Sequence, residues 1–226
     1  MTGRRELFLQ EMGLGPVWHA RGVPADAPDL GDAGGMDWAG LKAAVAGCTA
    51  CELNKTRTQA VFGVGDENAD WLFIGEAPGA DEDVQGEPFV GQAGKLLDNM
   101  LKSIGLKRGD NVYIANVVKS RPPNNRNPLP DEIAACMPYL RRQIELIQPK
   151  LIVTLGKIAS EALLGREATI ASLRGKVHAY QGIPLIVTYH PAYLLRTLQD
   201  KARAWEDLCL AKQTMQDLYS KESATI

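Results

Sequence analysis

The sequence predicts an α/β fold, a three-layer α/β/α sandwich around a central, mainly parallel four-stranded sheet. Four short apolar runs alternate along the chain with longer segments of helical periodicity. Strands that alternate with helices in this way favour a parallel sheet with helices on both faces. The chain of 226 residues, 45% hydrophobic and 23% charged, is long enough and apolar enough to bury such a core.

The elements of the first half are predicted from apolar runs and turn-forming residues. A helix is predicted at 38–45, ahead of Cys48. The run at 71–74, Trp-Leu-Phe-Ile, is typical of an interior strand. A helix at 92–104 should end at Gly105. A second strand is predicted at 112–118, before a loop rich in Pro and Asn.

The second half repeats the alternation of helices and strands. A helix is predicted at 131–147, a strand at 151–155 and a further helix at 157–164. The fourth strand, at 185–188, leads into Tyr189-His190-Pro191, and a last helix covers about 200–219.

Residues 1–36 differ in composition from the rest of the chain. The segment 15–35 is rich in Pro and Gly, as in a mobile linker, and a turn or two of helix is predicted at 7–12. We therefore predict a flexible extension at 1–36 and a globular domain at 37–226. No apolar run approaches the roughly 20 residues of a membrane span, and no secretory signal is evident, so we expect a cytoplasmic protein without membrane contacts. The net charge of −2 does not indicate nucleic-acid binding, although local basic patches matter more than the sum.

The motif Gly75-Glu76-Ala77-Pro78-Gly79 follows the first predicted strand. Open α/β sheets bind ligands at the carboxyl ends of their strands, which is where this motif delivers a carboxylate. Pro78 and Gly79 make the loop bent and stiff. The acids that follow, at 81–83, could form a solvated acidic turn. Glu76 differs from them because it adjoins a buried strand, and we interpret it as a positioned group.

Three further residues are candidates for a binding site, each with a simpler alternative. Asn116 is at the end of the second strand, and its amide could read the edge of a base. His190 follows the last strand; it could equally be a structural capping residue, and the Tyr-Leu-Leu that follows could be core. Phe89 lies in the loop after Glu76 and could either pack in the core or stack on a flat ring.

Cysteines are the remaining chemical signal. Cys48 and Cys51 form a CxxC pair ahead of the sheet, which disfavours a thioredoxin-like role. In a cytosolic chain such a pair binds metal more often than it forms a disulfide. Cys136 and Cys209 are the other thiols available for a zinc or iron–sulfur site. The alternative is that these are unrelated structural cysteines.

The ordered set of motifs resembles family 4 uracil-DNA glycosylases, the iron–sulfur branch of their superfamily. The resemblance extends from about Gly40 to Met215. It rests on the CxxC pair and on Gly75-Glu76-Ala77-Pro78-Gly79, Pro88-Phe89-Val90-Gly91, Asn116-Val117-Val118-Lys119, Arg121-Pro122-Pro123 with Asn125-Arg126, and His190-Pro191-Ala192-Tyr193-Leu194-Leu195.

The resemblance implies a role for each matching residue. Glu76 would position or activate the attacking water, and His190 would stabilise negative charge on uracil O2. The implied substrate-binding residues are Ala77, Glu82, Phe89 and Asn116, with Phe89 stacking on uracil and Asn116 reading its N3 and O4 edge. The implied DNA-binding residues are Arg121, Arg126, Tyr193, Leu194, Leu195 and Arg196, the last four in a loop that fills the gap left by the flipped nucleotide.

The implied cofactor is a [4Fe–4S] cluster held by Cys48, Cys51, the residue before Arg121 and Cys136. That third position is Ser120 instead of cysteine. The cluster could therefore be ligated by the serine oxygen, contain three iron atoms, recruit Cys209 or be labile. A natural or an engineered Cys→Ser change would give the same sequence.

The resemblance predicts a monofunctional base-excision repair enzyme that flips uracil out of DNA and hydrolyses its N-glycosidic bond, leaving an abasic site. The expected partner is uracil-containing DNA, single- or double-stranded, and the expected state is a monomer. One alternative traps uracil-DNA without efficient turnover; its covalent version needs a nucleophilic His that Arg121-Pro122-Pro123 lacks. Another is a non-catalytic iron–sulfur or zinc module that binds DNA or a replication partner.

Overall fold

The computed structural model describes residues 33–223, so most of the predicted extension, including the helix at 7–12, lies outside the described residues. The described part begins before the predicted domain boundary at residue 37. Ala33 is buried, and Arg142 Nε donates a hydrogen bond to the Met36 carbonyl at 2.7 Å. Residues 33–36 therefore pack with the domain.

Residues 33–223 form a six-stranded sheet with helices on both faces. The strands are β1 (Val64–Gly65), β2 (Trp71–Gly75), β3 (Val112–Asn116), β4 (Leu151–Leu155), β5 (Val177–Tyr180) and β6 (Ile183–Thr188). Their order is β1-β3-β2-β4-β6-β5. The four inner strands pair in parallel, as the sequence predicts, and the register sets Gly75 opposite Asn116 at the carboxyl ends of β2 and β3.

The predicted four-stranded sheet is extended by an antiparallel strand at each edge. β1 pairs with β3 and β5 pairs with β6, both antiparallel. β1 has only two residues, and β5 is largely exposed, so neither shows the apolar run that identifies the inner strands.

Some α-helices of the described region were predicted from the sequence, and others were not. They are α1 (Trp38–Ala46), α2 (Ala80–Gln85), α3 (Gln92–Ser103), α4 (Pro130–Ile147), α5 (Lys157–Leu164), α6 (Ile170–Leu173), α7 (Pro191–Arg196) and α8 (Lys201–Ser223). The sequence did not predict α2, α6 and α7, because four to six residues are too few to establish helical periodicity. None of the helices in the described region is long and apolar enough to cross a membrane.

Two apolar clusters flank the sheet and make the three layers. On one face, Ile74 belongs to a cluster that includes Leu140 of α4. On the other face, Phe73 belongs to a cluster with Leu97 of α3 and Leu208 of α8. Adjacent residues of β2 thus point to opposite sides, as a strand buried on both faces requires. The rigid sheet fixes the loops that leave its carboxyl edge.

Candidate active site

A cavity of about 420 Å³ opens at the carboxyl edge of the sheet. It brings together residues that the sequence places far apart. Its lining includes Glu76, Ala77, Glu82, Phe89, Asn116, Arg126, His190, Tyr193 and Arg196. These residues end or follow β2, β3 and β6, or lie in the loops and helices beyond them, so the parallel strands explain why they meet.

Gly75 lets these groups approach one another. A Cβ at this position would collide with Asn116 Oδ1 and with the ring of Phe89. Glu76 follows directly and lines the cavity, and burial raises the pKa of its carboxyl group above the usual value of 4.5. A carboxylate whose pKa lies closer to neutrality accepts a proton from water more readily.

Asn116 presents an unpaired acceptor. Its side chain is buried, with 2% of the residue exposed, and Oδ1 has no hydrogen-bond partner among residues 33–223. Lys119 holds the main chain at this point, because its Nζ donates to the Asn116 carbonyl at 2.8 Å and to Gln143 Oε1 at 2.5 Å. A buried polar atom without a partner is costly, so this geometry favours a ligand that supplies an N–H group.

Phe89 lines the same pocket. The residue is buried in a left-handed conformation with φ of 57°. Its ring centroid lies 5.5 Å from that of His190, at an interplanar angle of 31°. A flat ligand next to Asn116 would therefore have an aromatic face and an imidazole within reach.

Glu82 has a structural function that the sequence did not indicate. Although it lines the cavity, its carboxylate accepts hydrogen bonds from the main-chain N–H groups of Gly79, Val90 and Gly91 at 2.9–3.2 Å. This carboxylate therefore ties α2 to the segment that carries Phe89. The arrangement supports a positioning role rather than a direct one.

His190 is held as a neutral imidazole. Its Nδ1 accepts a hydrogen bond from the Ala192 N–H at 3.1 Å, so in the neutral ring the proton is on Nε2. Burial, with a smaller contribution from Arg196, lowers the His190 pKa to about 4. At neutral pH the group can therefore donate a hydrogen bond from Nε2 without carrying charge. Gly156 packs closely against His190, because a Cβ at position 156 would lie 2.9 Å from the His190 Cβ.

The four residues predicted to enter DNA, 193–196, belong to helix α7. Successive residues of a helix point in different directions, so these four differ in exposure. Tyr193 donates to Asp200 Oδ2 at 2.6 Å and stacks on Tyr189. Leu194 is 1% exposed and packs in the core, which argues against the predicted DNA contact for this residue. Leu195, at 42% exposure, and Arg196 face solvent. Leu198 is 62% exposed just beyond the helix, and the sequence did not single it out.

The two arginines predicted to contact phosphate both have intramolecular partners. Arg126 forms a bidentate ion pair with the buried Glu132, at 2.6 and 2.9 Å. Arg121 donates from Nε to Asn125 Oδ1 at 2.7 Å. These bonds order the loop beside the cavity and leave each guanidinium at the protein surface.

Three of the four residues that the resemblance implies as cluster ligands are cysteines, and they lie near one another. Cys48 and Cys51 are half-buried, and both lie close enough to the buried Cys136 to add to the elevation of its pKa, which burial raises to about 11. At the fourth position, Ser120 Oγ accepts a hydrogen bond from Arg57 at 2.8 Å. No group of three or more His, Cys, Asp or Glu side chains within 33–223 is arranged around a single metal ion.

Cys209 does not complete this site. It is exposed on α8, whose buried residues pack on one face of the sheet, whereas Cys136 on α4 packs on the other. The expectation that Cys209 could replace the missing ligand is therefore not supported. No supporting role was predicted for Lys119, Gln143 or Arg57, because the sequence does not show which partner a single polar side chain binds.

Comparisons with known proteins agree with this geometry. A family profile described as the uracil DNA glycosylase superfamily matches residues 62–209. The chain is 51% identical over 156 residues to a type-4 uracil-DNA glycosylase of Archaeoglobus fulgidus, covering 66% of this chain and 78% of that protein. It is 46% identical to the type-4 enzyme of Thermotoga maritima, covering 73% and 88%, and 43% identical to that of Pyrobaculum aerophilum, covering 77% and 93%.

Proposed function

The chain belongs to the uracil-DNA glycosylase superfamily, and from this premise we propose that it excises uracil from DNA in base-excision repair. It is a uracil-DNA glycosylase, a hydrolase that acts on the N-glycosidic bond. The observation that carries the assignment of the pocket is the buried Oδ1 of Asn116, which has no hydrogen-bond partner within the described part of the chain and belongs to a residue that lines the same cavity as Phe89 and His190.

Base recognition is assigned to Asn116 and Phe89. A base inside a duplex is unreachable, so the target nucleotide must rotate into the pocket at a cost of a few kcal/mol. Phe89 would stack on the extruded ring. The Asn116 Oδ1 would accept the uracil N3–H, and its Nδ2 would donate to O4. Cytosine has no hydrogen on N3 and an amino group instead of O4, so the same amide orientation rejects it.

Bond cleavage is assigned to His190 and Glu76. As the bond between uracil N1 and sugar C1′ breaks, its electron pair moves to the base and negative charge builds on O2. The Nε2–H of His190 would donate to this oxygen, and such a preorganised donor acts mainly in the transition state. Water then bonds to C1′ and Glu76 accepts its proton. The products are an abasic site and the uracil anion, which takes up a proton from solvent, while Glu76 releases the proton it accepted.

The iron–sulfur cofactor is a proposal that rests on the three gathered thiols. Cys48, Cys51 and Cys136 would hold the cluster, with Ser120 at the fourth position. When bound, the cluster would link the CxxC segment to α4 and so stabilise the loop that precedes α4.

DNA contacts are proposed for the surface around the cavity. Arg121, Arg126 and Arg196 would contact phosphates, and Leu195, the exposed leucine of α7, would fill the gap left by the flipped nucleotide. We further propose that the enzyme acts as a cytoplasmic monomer on uracil in single- or double-stranded DNA. A covalent trap is not favoured, because residues 121–127 contain no histidine to serve as its nucleophile.

A single-turnover assay tests the proposed function. Oligonucleotides with one uracil, single-stranded or paired with G or A, are incubated with enzyme and cleaved with alkali, beside oligonucleotides with thymine or cytosine at that position. Wild type should cleave the uracil strands alone. The Glu76→Gln/His190→Ala protein, purified identically, controls for glycosylase from the expression host. Equal cleavage by both preparations, or none by wild type, would overturn the proposal.

A further inference from the structure

The conformation of Phe89 needs an explanation that the proposed role does not supply. Among residues 33–223, the other non-glycine residues with positive φ are all Asn or Gln, and a bulky aromatic residue is unusual in the left-handed region. An aromatic residue persists there when its surroundings over-determine its backbone. The question is which groups do this.

Arg108 binds the main-chain carbonyl groups of Pro88 and Phe89. It lies between α3 and β3, and its Nη1 donates to the Pro88 carbonyl at 2.9 Å while Nη2 donates to the Phe89 carbonyl at 2.8 Å. Nε donates to Asp98 Oδ1 of α3 at 2.9 Å, which orients the guanidinium. The planar fork of arginine, with donors fixed in three directions, suits this arrangement.

The remaining contacts act from other sides of the same turn. Glu82 accepts the N–H groups of the two residues that follow Phe89. Gly94 of α3 packs so closely on the Phe89 carbonyl that a Cβ there would collide with it. Arg108 and Glu82 therefore hold successive peptide groups and aim the ring of Phe89 at His190.

We propose that Arg108 is a positioning residue that holds Phe89 in the conformation needed to stack on the extruded base. The proposal rests on the proposed function of Phe89. Arg108 does not line the cavity, so it acts through Phe89 and not on the substrate. Asp98 supports it by orienting the guanidinium.

A double-mutant cycle between Arg108 and Phe89 tests this coupling. Single-turnover excision rates and inhibition by free uracil are measured for Arg108→Gln, Phe89→Ala and the double variant. We expect Arg108→Gln to lower the rate and weaken uracil inhibition by about tenfold each in the wild-type background, and by less than about twofold once Phe89 is alanine. Asp98→Asn should show the same pattern at smaller amplitude, and it keeps the test available if Arg108→Gln folds poorly.

Arg142→Gln is the matched control. Arg142 is also a partly buried arginine that binds a main-chain carbonyl and a carboxylate, but that carbonyl belongs to Met36, which does not line the cavity, whereas Arg108 binds the carbonyl of the lining residue Phe89. It should lower thermal stability and leave the excision rate and uracil inhibition near those of wild type. Equal losses in Arg108→Gln and Arg142→Gln, or a loss of the same size in both Phe89 backgrounds, would overturn the proposal. If Phe89→Ala excises uracil at the wild-type rate, the stacking role and the proposal fail together, whereas the activity itself stands.

Discussion

Arg57 donates a hydrogen bond to Ser120 Oγ at 2.8 Å, at the position where the sequence analysis expected a cysteine ligand. The same guanidinium donates to the carbonyls of Ala46 and Cys48, both at 2.9 Å. Arg57 thus ties the CxxC segment to the residue before Arg121. These bonds link the same two segments that a fourth cysteine ligand would join through the cluster.

Ser120→Cys should raise the iron and sulfide content of anaerobically prepared protein. Iron–sulfur clusters are held by thiolates, and a serine oxygen is a harder, more basic ligand. Thermal stability should rise with iron content, DNA affinity should rise less, and the single-turnover rate constant should change little. Cys209→Ser, an exposed thiol on the other face of the sheet, is the control and should leave iron content unchanged. If wild type and Ser120→Cys both lack iron and excise uracil equally well, the cluster assignment fails.

Asn116→Asp should cut uracil excision by about 100-fold or more, the size of effect expected for losing a preorganised donor. An ionised carboxylate only accepts hydrogen bonds, so it cannot donate to uracil O4. It therefore loses the donor with which the Asn116 amide favours uracil over cytosine. Discrimination against cytosine should therefore weaken as well. Single-turnover rates on matched uracil and cytosine strands measure both effects. Unchanged rate and selectivity would remove Asn116 from base recognition.

His190→Ala should lower the single-turnover rate constant by about 10²–10³-fold, while affinity for abasic DNA stays near that of wild type. The reason is that charge accumulates on O2 only as the bond breaks. His178→Ala is the matched control: His178 bonds the Leu173 carbonyl and does not line the cavity, so the rate should persist. Equal loss of rate and abasic-DNA affinity in His190→Ala would indicate a folding or binding role instead.

The pH dependence of the reaction should report on Glu76. As a base it acts when ionised, and burial raises its pKa above 4.5, so the single-turnover rate should rise with pH through that elevated value and then level off. His190, with a pKa of about 4, is largely neutral at pH values above that. Glu76→Gln should lower the rate and abolish the acid limb. An acid limb that survives in Glu76→Gln would assign it to another group.

The inner strands and long helices were predictable because their signals are local. Apolar runs such as 71–74 and helix stops such as Gly105 carry the information within a few residues. The same locality made Glu76, Asn116 and His190 recognisable as strand-end residues in motifs that resemble a known family.

What the tertiary structure alone decided was the partner and the exposure of each side chain. Nothing near Arg108 in the sequence indicates that it binds the carbonyls 19 and 20 residues away, and Arg57 reaches Ser120 across 63 residues. Likewise, Leu194 and Leu195 are adjacent residues of the same type, yet α7 buries the first and exposes the second. Local patterns determine which elements form, whereas hydrogen bonds and burial depend on how the finished elements pack, so they can be read only from the folded chain.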